Sequence, residues 1–158
     1  MTQPAPPIYA TLDGPRRLPL ASRLVAAAAA GGCLAVLLTA AWLRPNSAGL
    51  GTHTQLGFAP CGFELRSGIP CPTCGMTTSV SLLVHGRIGA SLYTQPMGFV
   101  IGLLLAVVFW GGLWEAASGR ALHRLLRWAK PLWLVTSFLG LVVAAWMWTI
   151  YIHLQTAQ

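Results

Sequence analysis

Three long apolar runs dominate the pattern along the 158 residues, the first two separated by a stretch rich in glycine, proline and hydroxyl side chains and the last two by a basic one. The first is Leu24 to Leu43, bracketed by Arg23 and Arg44. The second runs from about Pro96 to Trp114, between Gln95 and Glu115, and the third is Leu132 to Ile152, entered through Lys130 and Pro131. Each has about the 20 residues that a helix rising 1.5 Å per residue needs to cross roughly 30 Å of hydrocarbon. Trp42, Trp114, Trp128, Trp133, Trp146, Trp148 and Tyr151 lie near the run ends, where an amphipathic ring keeps one edge in water. The pattern predicts an all-α integral membrane protein with spans at about 24–43, 96–114 and 132–152 in a single membrane domain, 21–158. The first run is longer than a signal core of roughly 7 to 15 residues and begins only at Leu24, so it reads as an uncleaved anchor. Met1 to Leu20 contains Pro4, Pro6, Pro7, Pro15 and Pro19 and reads as a disordered tail.

Between the first two spans the pattern changes midway. Pro45 to Pro60 is rich in Gly, Ser, Thr and Pro and has no period, which predicts a linker or an irregular membrane-surface segment. From Cys71 onward the signals are helical: Pro72 suits a first helical position, and no further proline occurs before Gly86. One short interfacial helix is expected there, with Cys71 as its cap and Cys74 in its first turn. On it Cys74, Thr78, Ser81 and His85 recur at intervals of three or four and share a face. That polar face reads either as the water-facing side of a half-submerged helix or as the lining of a proton path or substrate site.

Composition agrees with the bilayer: 55% of residues are hydrophobic and 8% charged, against about 25% charged in soluble domains. The net charge of +7 does not point to nucleic acid, because the basic residues are scattered around apolar runs and form no stripe with interleaved aromatics. Their placement speaks to orientation instead. With a cytoplasmic N-terminus, the inside segments hold Arg16, Arg17, Arg23, Arg120, Arg124, Arg127 and Lys130, and the outside ones hold Arg44, Arg66 and Arg87. This bias predicts an extracytoplasmic cysteine loop at 45–93, a basic cytoplasmic loop at 115–130 and an extracytoplasmic C-terminus.

The candidate chemistry lies in GIPCPTCG, Gly68 to Gly75, with Cys61 ten residues before Cys71. The order Cys61, Gly-Ile-Pro-Cys-Pro-x-Cys-Gly, Met76-Thr77-Thr78, a short helix and Pro96 leading a span resembles a bacterial family of small integral membrane proteins catalogued as a domain of unknown function. The similarity runs from about Ala59 to Trp114. Many members carry Thr-Arg where this chain has Thr77-Thr78, and Asn-Pro where it has Gln95-Pro96. The resemblance implies a multi-pass protein of the bacterial cytoplasmic (inner) membrane and brings no activity with it.

Three readings of the thiols stand open. Cys71 and Cys74 form a redox pair, with the helix dipole stabilising a thiolate and Cys61 resolving a mixed disulfide. Alternatively, Cys61, Cys71 and Cys74 hold a zinc-type ion, with His53 as the fourth ligand; His85, eleven helical residues beyond Cys74, lies about 16 Å away, too far to join them. The third reading is a scaffold or interaction protein without catalysis, in which Cys61 bridges Cys71 or Cys74 and pins the loop. Cys33, beside Gly31 and Gly32, reads as a close helix-packing position. His123 belongs to a basic amphipathic segment that meets anionic headgroups, and His153 is solvated. Asp13, Glu64 and Glu115 are too far apart in sequence for a paired-carboxylate hydrolase. The partners expected are the lipid bilayer and either a second copy or another membrane protein, since three helices make a thin bundle.

The charge bias gives a direct test of orientation. In reduced cells with a permeabilised outer membrane, a membrane-impermeant thiol reagent is expected to label the Cys61–Cys74 loop. Labelling that appears only after the inner membrane is broken would reverse the orientation.

Overall fold

The computed structural model describes residues 18–120, 122 and 131–156. Among the described residues six α-helices follow in chain order: α1 (Leu20–Trp42), α2 (Gly62–Ser67), α3 (Met76–Val84), α4 (Ile88–Thr94), α5 (Pro96–Ser118) and α6 (Pro131–Thr156), with a 3₁₀-helix at Thr52–Leu56 between α1 and α2. No strand occurs among the described residues. Helices α1, α5 and α6 are long and apolar enough to cross a membrane. The first span begins at Leu20, inside the stretch read as tail, and the second continues to Ser118. Most of the expected tail, and His123, Arg124, Arg127, Trp128 and Lys130 of the expected cytoplasmic loop, lie outside the described residues.

The expected loop between the first two spans is largely helical. Within the supposed linker, the 3₁₀-helix buries Thr52, whose Oγ1 accepts from the Asn46 amide at 3.0 Å and pairs with Thr78 Oγ1 at 2.7 Å. The helix expected from Pro72 begins instead at Met76. Gly75 precedes it with φ +84°, and a Cβ there would stand 3.2 Å from the Gly49 carbonyl oxygen. A left-handed, closely approached position of this kind suits glycine and ends the cysteine turn before the helix can start.

Helices α3 and α4 form a hairpin against α5. Ser79 Oγ donates to the Ser91 and Gln95 carbonyls, each at 2.9 Å, and Ser91 Oγ returns a bond to the Ser79 carbonyl at 2.7 Å. Ser81 Oγ donates to the Leu43 carbonyl at the C-terminal end of α1, at 2.9 Å. Thr52, Thr78, Ser79, Ser81, Ser91 and Gln95 are fully buried, and among the described residues no buried side-chain polar atom lacks a partner. The reading of α3 as a helix showing Thr78 and Ser81 to water is therefore corrected: both hydroxyls face inward, where backbone carbonyls and a second hydroxyl replace water. His85, by contrast, is exposed at the end of α3, with Nδ1 2.7 Å from the Ser81 carbonyl oxygen.

The packing of α5 depends on its glycines. At Gly112 a Cβ would lie 2.8 Å from the Ala26 carbonyl oxygen and 3.2 Å from Ala30 Cβ, so α1 and α5 touch backbone to backbone. At Gly98 it would meet Ser79 Cβ at 2.8 Å and the Met76 carbonyl oxygen at 3.0 Å. The close-packing role expected around Cys33 is thus placed elsewhere: Gly31 and Gly32 have nothing within 4 Å, and Ala26, Ala30 and Gly112 carry the contact. Between membrane helices, close approach takes the place of a hydrophobic driving force. The far end of this pair is tied by Arg23, whose Nε donates to the Ala116 carbonyl at 2.8 Å. Helix α6 joins the cysteine end through Trp146 Nε1 to the Pro70 carbonyl at 2.9 Å and Trp148 Nε1 to the Tyr93 carbonyl at 2.8 Å. The end of α1, the start of α5 and the end of α6 consequently share one side of the bundle with the cysteines.

Because the atoms facing Gly98 are backbone and Cβ, they have little room to move. Gly98→Ala is expected to destabilise the protein by about 1–3 kcal/mol, and Gly31→Ala, with open space around it, to leave stability unchanged. Thermal unfolding of the two variants in detergent, compared with the parent, measures the difference.

Candidate functional site

The site is built on a turn. Cys71 to Gly75 is closed by the Cys74 amide donating to the Cys71 carbonyl at 3.0 Å and the Met76 amide donating to the Thr73 carbonyl at 3.2 Å. This turn folds both cysteine side chains to the same side, with their Sγ atoms 2.9 Å apart. Cys61, the cap residue of α2, supplies the third sulfur, and the three Sγ atoms all lie within 4.8 Å of one another. No disulfide joins any two of them in this structure.

Turn and span are joined by one side chain. Gln95 Nε2 donates to the Pro72 carbonyl at 3.0 Å, while Oε1 accepts from the Met97 amide at 2.8 Å and the Gly98 amide at 3.4 Å. The same amide thus caps α5, whose first residue is Pro96, and fixes the middle of the cysteine turn.

The two paired thiols hold their protons unequally. Burial pushes Cys71 up, but hydrogen bonds from Cys74, from the Thr73 hydroxyl and backbone amide, and from Cys61 outweigh it and bring Cys71 down to about 7. Cys74 moves upward, first because it is more deeply buried and then because its hydrogen bonds to Cys71 and Cys61 keep the proton on it. Above about pH 7 the pair therefore holds one proton, on Cys74, with the thiolate on Cys71. The cause differs from the one expected. Cys74 stands before Gly75 rather than in the first turn of α3, so neighbouring donors rather than a helix N-terminus stabilise the anion.

Of the residues expected at the site, the structure brings together Cys61, Cys71 and Cys74, while His53 lines the same cavity of about 660 Å³ without joining the group of donor atoms that lie within 4.8 Å of one another. Thr78 also contributes to its wall, with its hydroxyl already engaged by Thr52. Ser81 and His85 are not among the lining residues. Residues 61–109 match the model of a family described as protein of unknown function (DUF2752). No curated protein and no solved structure matches the chain. The DUF2752 match starts at the first thiol, Cys61, takes in the cysteine turn, α3 and α4, and ends at Phe109 within α5. It lies inside the stretch from Ala59 to Trp114 where the resemblance was expected, and it includes Gln95.

Gln95, Ser79 and Ser91 were not singled out as a group from the sequence. A Gln-Pro pair opening an apolar run is a cap signal and identifies the α5 cap of Gln95. The serine pair has no such signal, because twelve residues and the bend at Gly86 separate its members.

A lowered thiol pKa means thiolate above it and thiol below. The alkylation rate of Cys71 in the reduced, metal-free protein is expected to rise with pH through a midpoint near 7, while Cys74 stays slow up to about pH 9. Site-resolved mass spectrometry after timed alkylation gives both curves. A Cys71 midpoint at the ordinary cysteine value, about 8.5, would remove the shared-proton account.

Proposed function

We propose that this is a membrane-anchored metal-binding protein in which Cys61, Cys71 and Cys74 take one zinc-type cation, with His53 or solvent as the fourth ligand. The observation that carries this reading is the convergence of three sulfurs, from two separate segments, on one cavity. Zinc–sulfur bonds of about 2.3 Å set tetrahedral sulfurs about 3.8 Å apart, and a cation between Cys71 and Cys74 would take the place of the proton they share and move them apart. A Cys-Pro-x-Cys-Gly turn ended by a left-handed glycine gives two ligands on a rigid backbone, and Cys61 completes a soft donor set suited to zinc rather than to magnesium or calcium. The metal end faces the extracytoplasmic side of a bacterial inner membrane, with the N-terminus in the cytoplasm, as the basic bias favours. Self-association or another membrane protein completes the thin bundle around α6. This reading assigns binding and no reaction.

A second reading is favoured by one specific observation, the unequal proton affinities of Cys71 and Cys74 at 2.9 Å: a thiolate beside a protonated thiol is the arrangement a thiol–disulfide exchange pair uses. In the scaffold reading, Cys61 is bridged in the resting protein and the bridge resists mild reductant.

Anaerobic purification without chelator, followed by metal analysis and a free-thiol count, separates the three. The metal reading expects about one zinc per chain, lost in each of Cys61→Ser, Cys71→Ser and Cys74→Ser, and weakened in His53→Ala if that imidazole is the fourth ligand. A metal-free protein with an easily reduced Cys71–Cys74 disulfide would establish the exchange pair instead. A resistant Cys61 bridge would establish the scaffold.

A further inference from the structure

The cavity that ends at the thiols is much larger than a metal site needs. Its volume, about 660 Å³, is that of a pocket for a whole organic ligand. Most of its wall is hydrocarbon: Val36 and Ala40 of α1, Met76 and Val80 of α3, and Ile101 and Leu105 of α5. Val36 stands six residues before the end of α1 at Trp42, about 9 Å down the helix axis, and Leu105 stands nine residues beyond Pro96, about 14 Å along α5. The cleft therefore extends from the cysteine end well into the depth of the spans. Val36 is 50% exposed and Leu56 40%, so it is open at its rim rather than sealed. Between helices of a membrane bundle, such an opening admits a lipophilic molecule sideways from the bilayer.

The polar end decides which lipophilic molecule. Among the residues lining the cavity are three cysteines, His53, Thr73 and Thr77, and no Lys, Arg, Asp or Glu. A phospholipid placing its chain between α1 and α5 would bring its phosphate against this end without a cation to receive it, and desolvating that charge unpaired is costly. An uncharged head with hydrogen-bond acceptors fits the Thr77 hydroxyl and the His53 imidazole as donors, the Thr73 hydroxyl being engaged with Cys71. A flat, polarisable conjugated ring also fits beside the soft, polarisable sulfurs of Met76 and the cysteines.

We infer that the cleft between α1, α3 and α5 binds an isoprenoid quinone, with the ring at the cysteine end and the chain lying toward the bilayer. The inference rests on the shape and lining of the cleft and not on the metal reading.

Native mass spectrometry of the reduced, zinc-free protein tests it with decylubiquinone as the probe, and monoolein and phosphatidylcholine as uncharged and charged competitors. One decylubiquinone is expected per chain, retained when either competitor is in excess. Val36→Trp and Ile101→Trp, which fill the cleft from opposite helices, are each expected to weaken binding by about tenfold or more with unchanged helix content by circular dichroism. Displacement by monoolein or phosphatidylcholine would mean that the cleft holds an acyl chain and would overturn the quinone assignment. So would parental affinity in both filled variants, or no adduct at all. A parent that binds decylubiquinone but no zinc would discard the metal proposal and leave this one standing.

Discussion

A single buried carboxamide holds the cysteine turn to the membrane helices. Gln95 is fully buried, and its side chain satisfies the first amides of α5 with one atom and the Pro72 carbonyl with the other. Its own carbonyl accepts from Ser79 of α3. In a bilayer, the start of a spanning helix carries amides that hydrocarbon cannot solvate, so this cap is required for α5 to begin where it does. Because the other end of the amide grips the turn between Cys71 and Cys74, the position of the sulfurs follows from the position of the span. Loop residues rarely hold three side chains within a few ångströms of one another unless something rigid fixes them, and here the rigid element is α5.

The surrounding polar groups serve the same end. Ser79 and Ser91 close the α3–α4 hairpin, Ser81 satisfies the last turn of α1, and Thr78 fixes the 3₁₀-helix through Thr52. Each uses a small hydroxyl to replace water for a backbone or hydroxyl group that the fold takes out of solvent. Small side chains also permit the approach seen at Gly98, where α3 and α5 nearly touch. A larger polar residue at 79 would satisfy the same carbonyls and force the helices apart. Close packing and polar satisfaction are thus two requirements met by one residue type, which explains why α3 is rich in Thr and Ser although it is buried.

The spans were legible because hydropathy over about 20 residues is a sum that tolerates local exceptions. The convergence of Cys61 on Cys71 and Cys74 was legible as a candidate because cysteine is rare in this chain. The interior of α3 was not. Thr78 and Ser81 have the spacing of a polar face, and spacing alone does not say whether that face meets water or carbonyls. The decision came from the 3₁₀-helix, which pairs with Thr78, and the end of α1, which takes the Ser81 hydroxyl, and a single helix cannot reveal their approach. The helix start was misplaced by the same kind of local ambiguity: proline at 72 suits a first helical position equally with a tight turn, and the left-handed Gly75, fitted against Gly49, settles it as a turn. Gly112 escaped notice because it sits inside an apolar run, where a glycine looks like one more small residue until the partner helix is in place.

The charge balance of the site follows from its setting. Burial and the hydrogen bonds to Cys71 and Cys61 keep the proton on Cys74, and repulsion from a Cys71 thiolate 2.9 Å away adds a smaller push in the same direction. No Lys or Arg lines the cavity to offset a further negative charge. A divalent cation would change that balance, because its two positive charges favour loss of the remaining proton and let both sulfurs act as anionic donors, so that uptake of metal and release of a proton are coupled. An uncharged ligand in the cleft would leave the balance as it is. The same absence of protein cations therefore favours two different occupants for two ends of one cavity: a metal ion among the sulfurs, whose charge the site needs, and a neutral molecule along the hydrocarbon wall, which asks for none.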